Sequence, residues 1–350
     1  METKHLSYFK VENFKRFDSL EVNDIGQFNL IVGDNNVGKT TLLEALLFDD
    51  ENYNQCLRNF RISLDNARHF YIDRNSKENY FSFFAKSQNE GLEFSYKYSS
   101  NEKESSLLLK YKLKNDLTKE EIENLPPYHF INHNELALIE FSNVNSKSYV
   151  FINDVGDDKT TDYIALICFN QSYGEDLIDF FSKMSLSNVK FDEIKSNLRY
   201  FIPSLTSIEI NNAIIKDNPL LVIRESDKDN VQPLTQYGDG FIKVFRCLLE
   251  IEMCENKRLM IDEIDTGVHY SRTKDFFKNV IQSAKNKNVQ IFATTHSKEC
   301  LGYFTEALAE LKMEDEGRII RLANTKSGIK TYTMRYEEFD NALAGENEIR

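Results

Sequence analysis

The sequence predicts an α/β fold: a mostly parallel core sheet, with an antiparallel β lobe and a small helical lobe inserted along the chain. Three observations predict it. The short apolar segments Arg258 to Ile261 and Val289 to Ala293 flank a helical pattern with Phe276, Phe277, Val280, Ile281 and Ala284 on one face. Apolar strands alternating with helices indicate a parallel sheet covered on both sides. An earlier apolar run, Phe28 to Val32, enters a glycine loop that opens a helix over Thr41 to Phe48. Between these halves, from about Gly91, the text alternates with period two, as an antiparallel lobe does.

Taken in order, the chain opens on two strands, Tyr8 to Phe17 and Ser19 to Val22, before the Phe28 strand. Leu92, Phe94, Tyr96 and Tyr98 mark one strand of the lobe and Leu109, Tyr111 and Leu113 the next, with polar Ser99 to Ser106 read as the loop between them. Strand-like text continues at Leu136 to Phe141, Tyr149 to Ile152 and Tyr163 to Phe169. The period turns helical from Gly174 to Tyr200. After Gly240, the residues Phe241, Val244, Phe245, Leu248 and Leu249 form one face of an amphipathic helix. The expected organisation is a single domain, 1–350, comprising N-terminal strands and glycine loop (1–50), an antiparallel β lobe (51–173), a helical lobe (174–235) and a closing half (236–350).

Composition narrows the function classes. A net charge of -13 repels a polyanion on average, so nucleic-acid binding would need a local basic patch. The apolar runs fall far short of the roughly 20 residues that cross a bilayer, and the opening residues lack the pattern of a secretory signal. No membrane association and a cytoplasmic address are expected. Five widely spaced cysteines, Cys56, Cys168, Cys247, Cys254 and Cys300, read as reduced core thiols.

Gly33-Asp34-Asn35-Asn36-Val37-Gly38-Lys39-Thr40 matches G-x-x-x-x-G-K-[ST] between a predicted strand and a predicted helix, with Thr41 following. Glycines let successive backbone N–H groups and a helix N-terminus face a phosphate chain. Lys39 would reach the β- and γ-phosphates and Thr40 would ligate Mg²⁺, so ATP and Mg²⁺ are the expected cofactors. Phosphoryl chemistry also needs a carboxylate for the metal and a group to orient the attacking water. Asp262 and Glu263, directly after the apolar strand Arg258 to Ile261, supply both. Two carboxylates there are costly to bury without a cation or donors. His296, at the end of the Val289 strand within Thr294-Thr295-His296-Ser297, is placed to contact a γ-phosphate. Thr235-Gln236-Tyr237-Gly238-Asp239-Gly240 is a glycine turn that starts the amphipathic helix.

In this order the four elements resemble the ABC ATPase superfamily, its SMC/RecF-like branch, and most of all the OLD-like AAA ATPases of bacterial genome defence. The resemblance rests on Phe9 to Phe17, the Gly33 to Thr41 loop, Tyr237 to Gly240, Asp262 to His269 and Ala293 to Ser297. It implies a P-loop NTPase of ABC type that hydrolyses ATP and works as a homodimer, or a higher homo-oligomer, with shared sites. Gly238, Asp239 and Gly240 would be the signature that reaches the opposite subunit's γ-phosphate, and Asp265 to His269 the loop that meets its counterpart. Arg16, within Lys15 to Phe17, would lie near the base or ribose. Gln171 would be the metal-sensing glutamine, with Gln55 and Gln88 as alternatives.

Tyr237-Gly238-Asp239-Gly240 departs from the Ser-Gly-Gly of transporters, which disfavours a transporter subunit. OLD proteins carry a Toprim nuclease after the ATPase core; the text after His296 shows no such carboxylate set, so a separate effector protein, a nuclease or toxin, is the expected partner. The resulting expectation is an ATP-driven dimer clamp that controls an effector in anti-phage defence, with a RecF/SMC-like DNA repair ATPase as the alternative and DNA as a possible partner. His129 and His133, four apart but in loop or strand text, do not converge on a metal. Lys110 to Lys119 reads as a solvated strand edge and Phe94 to Tyr98 as sheet packing.

Overall fold

A computed structural model describes residues 5–49, 84–87, 90–113, 118–119, 137–143, 147–151, 164–168, 173–211 and 219–345. The core is a six-stranded sheet in the order β15-β14-β3-β13-β12-β8. Its strands are β3 (Phe28–Gly33), β8 (Ala165–Ile167), β12 (Arg258–Ile261), β13 (Gln290–Thr294), β14 (Gly317–Thr325) and β15 (Gly328–Arg335). All neighbours run parallel except β14 and β15. Strands β3, β12 and β13 are buried at every residue, which is why they read as mostly apolar text rather than alternation.

Successive side chains point to opposite faces, and both faces are apolar. Leu30, Val32, Leu259, Ile261, Ile291 and Ala293 join one core cluster. Helices α4 (Asp239–Met253), α5 (Tyr270–Asn286) and α6 (Lys298–Leu311) supply much of the rest of that cluster. Ile31, Met260, Phe292 and Ile320 join the second cluster, with α1 (Lys39–Ala45) and an antiparallel sheet. That sheet has the order β2-β1-β4-β5-β6-β7, from β1 (Leu6–Phe14), β2 (Phe17–Val22), β4 (Leu92–Tyr98), β5 (Asn101–Leu113), β6 (Ala137–Asn143) and β7 (Lys147–Phe151). The result is three layers: antiparallel sheet with α1, core sheet, helices.

Aromatic residues hold the first layer together, α1's end against its sheet. Phe94 of β4 stacks on Phe48 at 4.7 Å between centroids, and Phe14 meets the same ring edge-on at 5.9 Å. Phe94→Ala is expected to cost about 3–5 kcal/mol, because it empties a fully buried ring site; urea unfolding of the folded variant measures it. Arg258 ties the same layer down: it is 3% exposed, donates to the Leu46 and Phe48 carbonyls past the end of α1, and lies 3.5 Å from Asp49.

Several expectations are corrected. The Tyr163 to Phe169 strand, placed in the antiparallel lobe, contributes β8 to the core sheet, parallel to β12. Conversely, β1 and β2 belong to the antiparallel sheet. Ser99 to Ser106 is mostly strand: Tyr98 already pairs with Asn101, and Ser105 and Ser106 sit opposite Tyr96 and Ser95. Ladder pairing uses backbone groups, so polar side chains do not forbid it. Among the described residues of 174–235, α-helix is confined to α2 (Glu175–Ser185) and α3 (Asn188–Leu198); β9 (Leu205–Asn211), β10 (Leu220–Glu225) and β11 (Gln232–Pro233) then form a small antiparallel sheet. Leu205 and Ile208 of β9 are both buried three residues apart, a spacing that suits a helical reading equally well.

Helix α4 differs in kind from the one-sided helix expected. It is buried from Phe241 to Glu252, charged residues included. Those charges are matched: fully buried Arg246 bonds Asp176 of α2 at 2.7 and 3.1 Å, and Glu252 meets Lys287 at 3.0 Å. Buried charge persists where it is paired and hydrogen-bonded. Cys168, Cys247, Cys254 and Cys300 are buried free thiols, and burial pushes the Cys247 thiol up to about 12. Such a thiol carries no thiolate at neutral pH and is inert as a nucleophile. Among the described residues, no helix is long and apolar enough to cross a membrane.

Candidate functional site

The site forms where β3, β12 and β13 end side by side. Parallel pairing in register, Ile261 opposite Ala293 and Thr294 opposite Ile31, brings the three carboxyl ends together. Gly33 closes β3, and the loop turns through Asn36 at φ 60° and Gly38 at φ 109° into α1. Gly38 admits no side chain, since a Cβ would come within 2.9 Å of the Phe17 ring and 3.0 Å of the Arg16 side chain. The Arg16 side chain is exposed and lies against the start of α1.

Lys39, 6% exposed, curls back over the loop. Its ammonium donates to the carbonyls of Gly33 at 2.6 Å and Asp34 at 3.0 Å and stands 3.4 Å from Nδ1 of His296. The loop and the His296 turn face each other across a cleft of about 230 Å³ lined by Gly33, Asp34, Asn35, Thr295, His296 and Ser297. Thr40, the next residue of α1, directs its hydroxyl at both oxygens of Asp262, 3.1 and 3.2 Å away. Asp262 is 3% exposed and accepts a second hydroxyl, from Thr294, at 2.7 Å.

Glu263 follows in the left-handed region, at φ 46°. Its N–H donates to the Thr294 hydroxyl at 2.8 Å, and its carbonyl accepts from the Lys243 ammonium. One carboxylate oxygen lies 3.9 Å from Nε2 of His296, and the other accepts from Thr266 at 3.0 Å. Thr295 donates to Asp265 at 2.7 Å, and Ser297 caps α6 by accepting from the Cys300 N–H. Lys39, Thr40, Asp262, Glu263 and His296, read separately from the sequence, therefore meet in one place.

The glycine turn packs against the loop after Glu263. A Cβ on Gly240 would lie 2.5 Å from the Gly267 carbonyl, so this approach of α4 to the 265–269 loop requires glycine. Gly240→Ala is expected to displace that loop and lower the thermal midpoint by several degrees, about 1 kcal/mol or more of lost packing, as calorimetry would show. Gly238, at φ 81°, and Asp239 are exposed. Asp239 makes no side-chain cap; its charge lies in the first turn of α4, where the helix dipole favours it.

Tyr237, just before the turn, is anchored to the small sheet. Its hydroxyl donates to Glu225 at 2.5 Å, where Ser204 donates at 2.6 Å and Lys228 stands at 2.5 Å. The Lys228 ammonium and then the two hydroxyls hold the Glu225 carboxyl down to about 2. A depressed carboxylate contributes stability above its unfolded value and loses it as pH falls through the folded one. Acid unfolding between pH about 4.5 and 2 is accordingly expected to be shallower in Glu225→Gln than in the parent, read by circular dichroism against pH.

Sequence reasoning missed four groups: the hydroxyls of Thr294, Thr295 and Thr266, and the Lys243 ammonium. The threonines flank assigned residues, and a hydroxyl beside a buried carboxylate is the available signal. Lys243 carries none, because its partner is a main-chain carbonyl. Gln171, Gln55, Gln88, His129 and His133 lie outside the described residues.

The chain is 26% identical to an "ATP/GTP phosphatase" of Helicobacter pylori over 97% of its own length and 98% of the relative's. Among solved structures, an SMC head bound to the C-terminal winged-helix domain of ScpA matches with a TM-score of 0.49 at 13% identity, covering 96% of this chain and 99% of the other. The SMC head domain of Thermotoga maritima matches with a TM-score of 0.44 at 12% identity, covering 95% and 99%. At these values the structural likeness adds nothing to the strand order itself. A family model matches residues 28–301, from the strand that enters the phosphate loop to the helix that leaves His296. Spanning most of the chain and every residue of the cluster, that match places the protein in the family described as "AAA domain, putative AbiEii toxin, Type IV TA system", as a P-loop ATPase domain.

Proposed function

We propose that the chain is a Mg²⁺-dependent ATPase that closes as a dimer around shared nucleotides and thereby controls a separate effector protein in prokaryotic anti-phage defence. One observation carries the ATPase reading: Lys39, Thr40, Asp262, Glu263 and His296 converge at the ends of three adjacent parallel strands. The full-length likeness to a relative named as an ATP/GTP phosphatase supports it.

In this reading the loop N–H groups and the N-terminus of α1 hold the phosphates. Lys39 exchanges the carbonyls of Gly33 and Asp34 for β- and γ-phosphate oxygens. Thr40 and Asp262 fit a hard divalent cation, being oxygen donors 3.1–3.2 Å apart with the carboxylate buried. Mg²⁺ held there neutralises developing phosphate charge. Glu263, partly exposed and 3.9 Å from Nε2 of His296, orients and deprotonates the attacking water, and His296 hydrogen-bonds the γ-phosphate. Arg16, beside Gly38, is placed for the base or ribose.

Gly238 and Asp239, exposed where α4 begins, are suited to a phosphate presented by a second subunit. The test is dilution. Specific ATPase activity should fall as subunit concentration drops below the dimerisation constant, and ATP with Mg²⁺ should shift the sedimentation coefficient towards a dimer. Full activity from a monomer would remove the shared-site reading. Native co-purification tests the output: a nuclease or toxin supports it, whereas bound duplex DNA would favour a RecF/SMC-like repair ATPase.

A further inference from the structure

Helix α4 carries a lysine between Ile242 and Val244 where an apolar residue would pack at lower cost. Lys243 is 7% exposed, and its ammonium donates to the main-chain carbonyl of Glu263. Burial lowers its proton affinity, opposed by the nearby carboxylates of Asp265, Glu263 and Asp262. A buried ammonium is retained only where charge or acceptors compensate it. The peptide it reaches belongs to a residue at φ 46°, a conformation that a glutamate adopts at a cost and holds only when its surroundings impose it.

The surroundings impose it from both sides. Thr294 accepts the Glu263 N–H at 2.8 Å; Lys243 donates to the carbonyl, which also accepts the Thr266 N–H at 3.0 Å. With both peptide groups clamped, the direction of the Glu263 side chain towards His296 is set by the main chain. Lys243 also stands one helical turn after Gly240, whose backbone packs on Gly267.

We infer that Lys243 is a positioning residue for Glu263, holding its main chain in the left-handed conformation that carries the carboxylate towards His296. The inference rests on the role proposed above for Glu263. Four proteins test it: wild type, Glu263→Gln, Lys243→Met and the double variant, each assayed for ATP affinity, kcat and thermal midpoint. Lys243→Met is expected to lower kcat about tenfold or more while ATP affinity stays within about twofold. The double variant is expected to be no slower than Glu263→Gln alone, because residues acting through one group are non-additive.

Lys243→Gln, which keeps a neutral donor, is measured in the same way if the methionine variant does not fold. Wild-type kcat in the Lys243 variant would overturn the inference, as would an equal further loss in the Glu263→Gln background. So would a loss of ATP affinity parallel to the loss of kcat. Wild-type turnover by Glu263→Gln alone would instead remove the role of Glu263, so the two failures are distinguishable.

Discussion

Glu263→Gln is expected to bind ATP normally, to hydrolyse it at least ~10²-fold more slowly, and to accumulate as an ATP-bound dimer. The rate estimate is the usual contribution of a positioned general base. Binding survives because the phosphate contacts come from the loop, Lys39 and the α1 N-terminus, which the substitution leaves in place. Glutamine is isosteric with glutamate, so the Thr266 hydroxyl keeps an acceptor and Thr294 keeps the Glu263 N–H. Single-turnover hydrolysis and sedimentation with ATP are the measurements. Turnover at the wild-type rate would show that Glu263 neither activates nor orients the water.

Lys39→Ala is expected to abolish ATP binding in the micromolar range without unfolding the protein. Loss of two charge-assisted hydrogen bonds to phosphate corresponds to about 3–5 kcal/mol, ~10²–10³-fold or more in Kd. The fold is spared because the loop conformation depends on Gly33 and Gly38, and α1 keeps Leu42, Leu43 and Ala45 in the core. Titration calorimetry with ATP and a thermal melt separate the two effects. Parental affinity would place the phosphates elsewhere.

The local chemistry was legible in the sequence because it is contiguous. Gly33 to Thr40 needs eight neighbouring residues, and Asp262-Glu263 and Thr294 to Ser297 each follow a short, mostly apolar strand. Such strands read clearly since both faces are buried and most positions are apolar, with Asn29, Arg258 and Gln290 among the buried polar exceptions. The lobes were less legible. Ser99 to Ser106 looked like loop because its side chains are polar, yet pairing uses only the backbone. The segment after Tyr200 continued a helical reading that β9 and β10 overturn, since their pairing partners lie 9 to 20 residues apart.

What the sequence by itself determined is the three strands β3, β12 and β13 and the five residues gathered where they end, because strand burial and the phosphate loop are written in local pattern. What only the tertiary structure decided is everything that depends on partners distant along the chain. It gave β8 to the core sheet and β1 and β2 to the antiparallel one, and it buried α4 on all sides through Arg246 and Asp176. It also set Lys243 under Glu263. A hydrogen bond from a side chain to a main-chain carbonyl 20 residues away selects no particular residue type at the acceptor, so no sequence pattern records it.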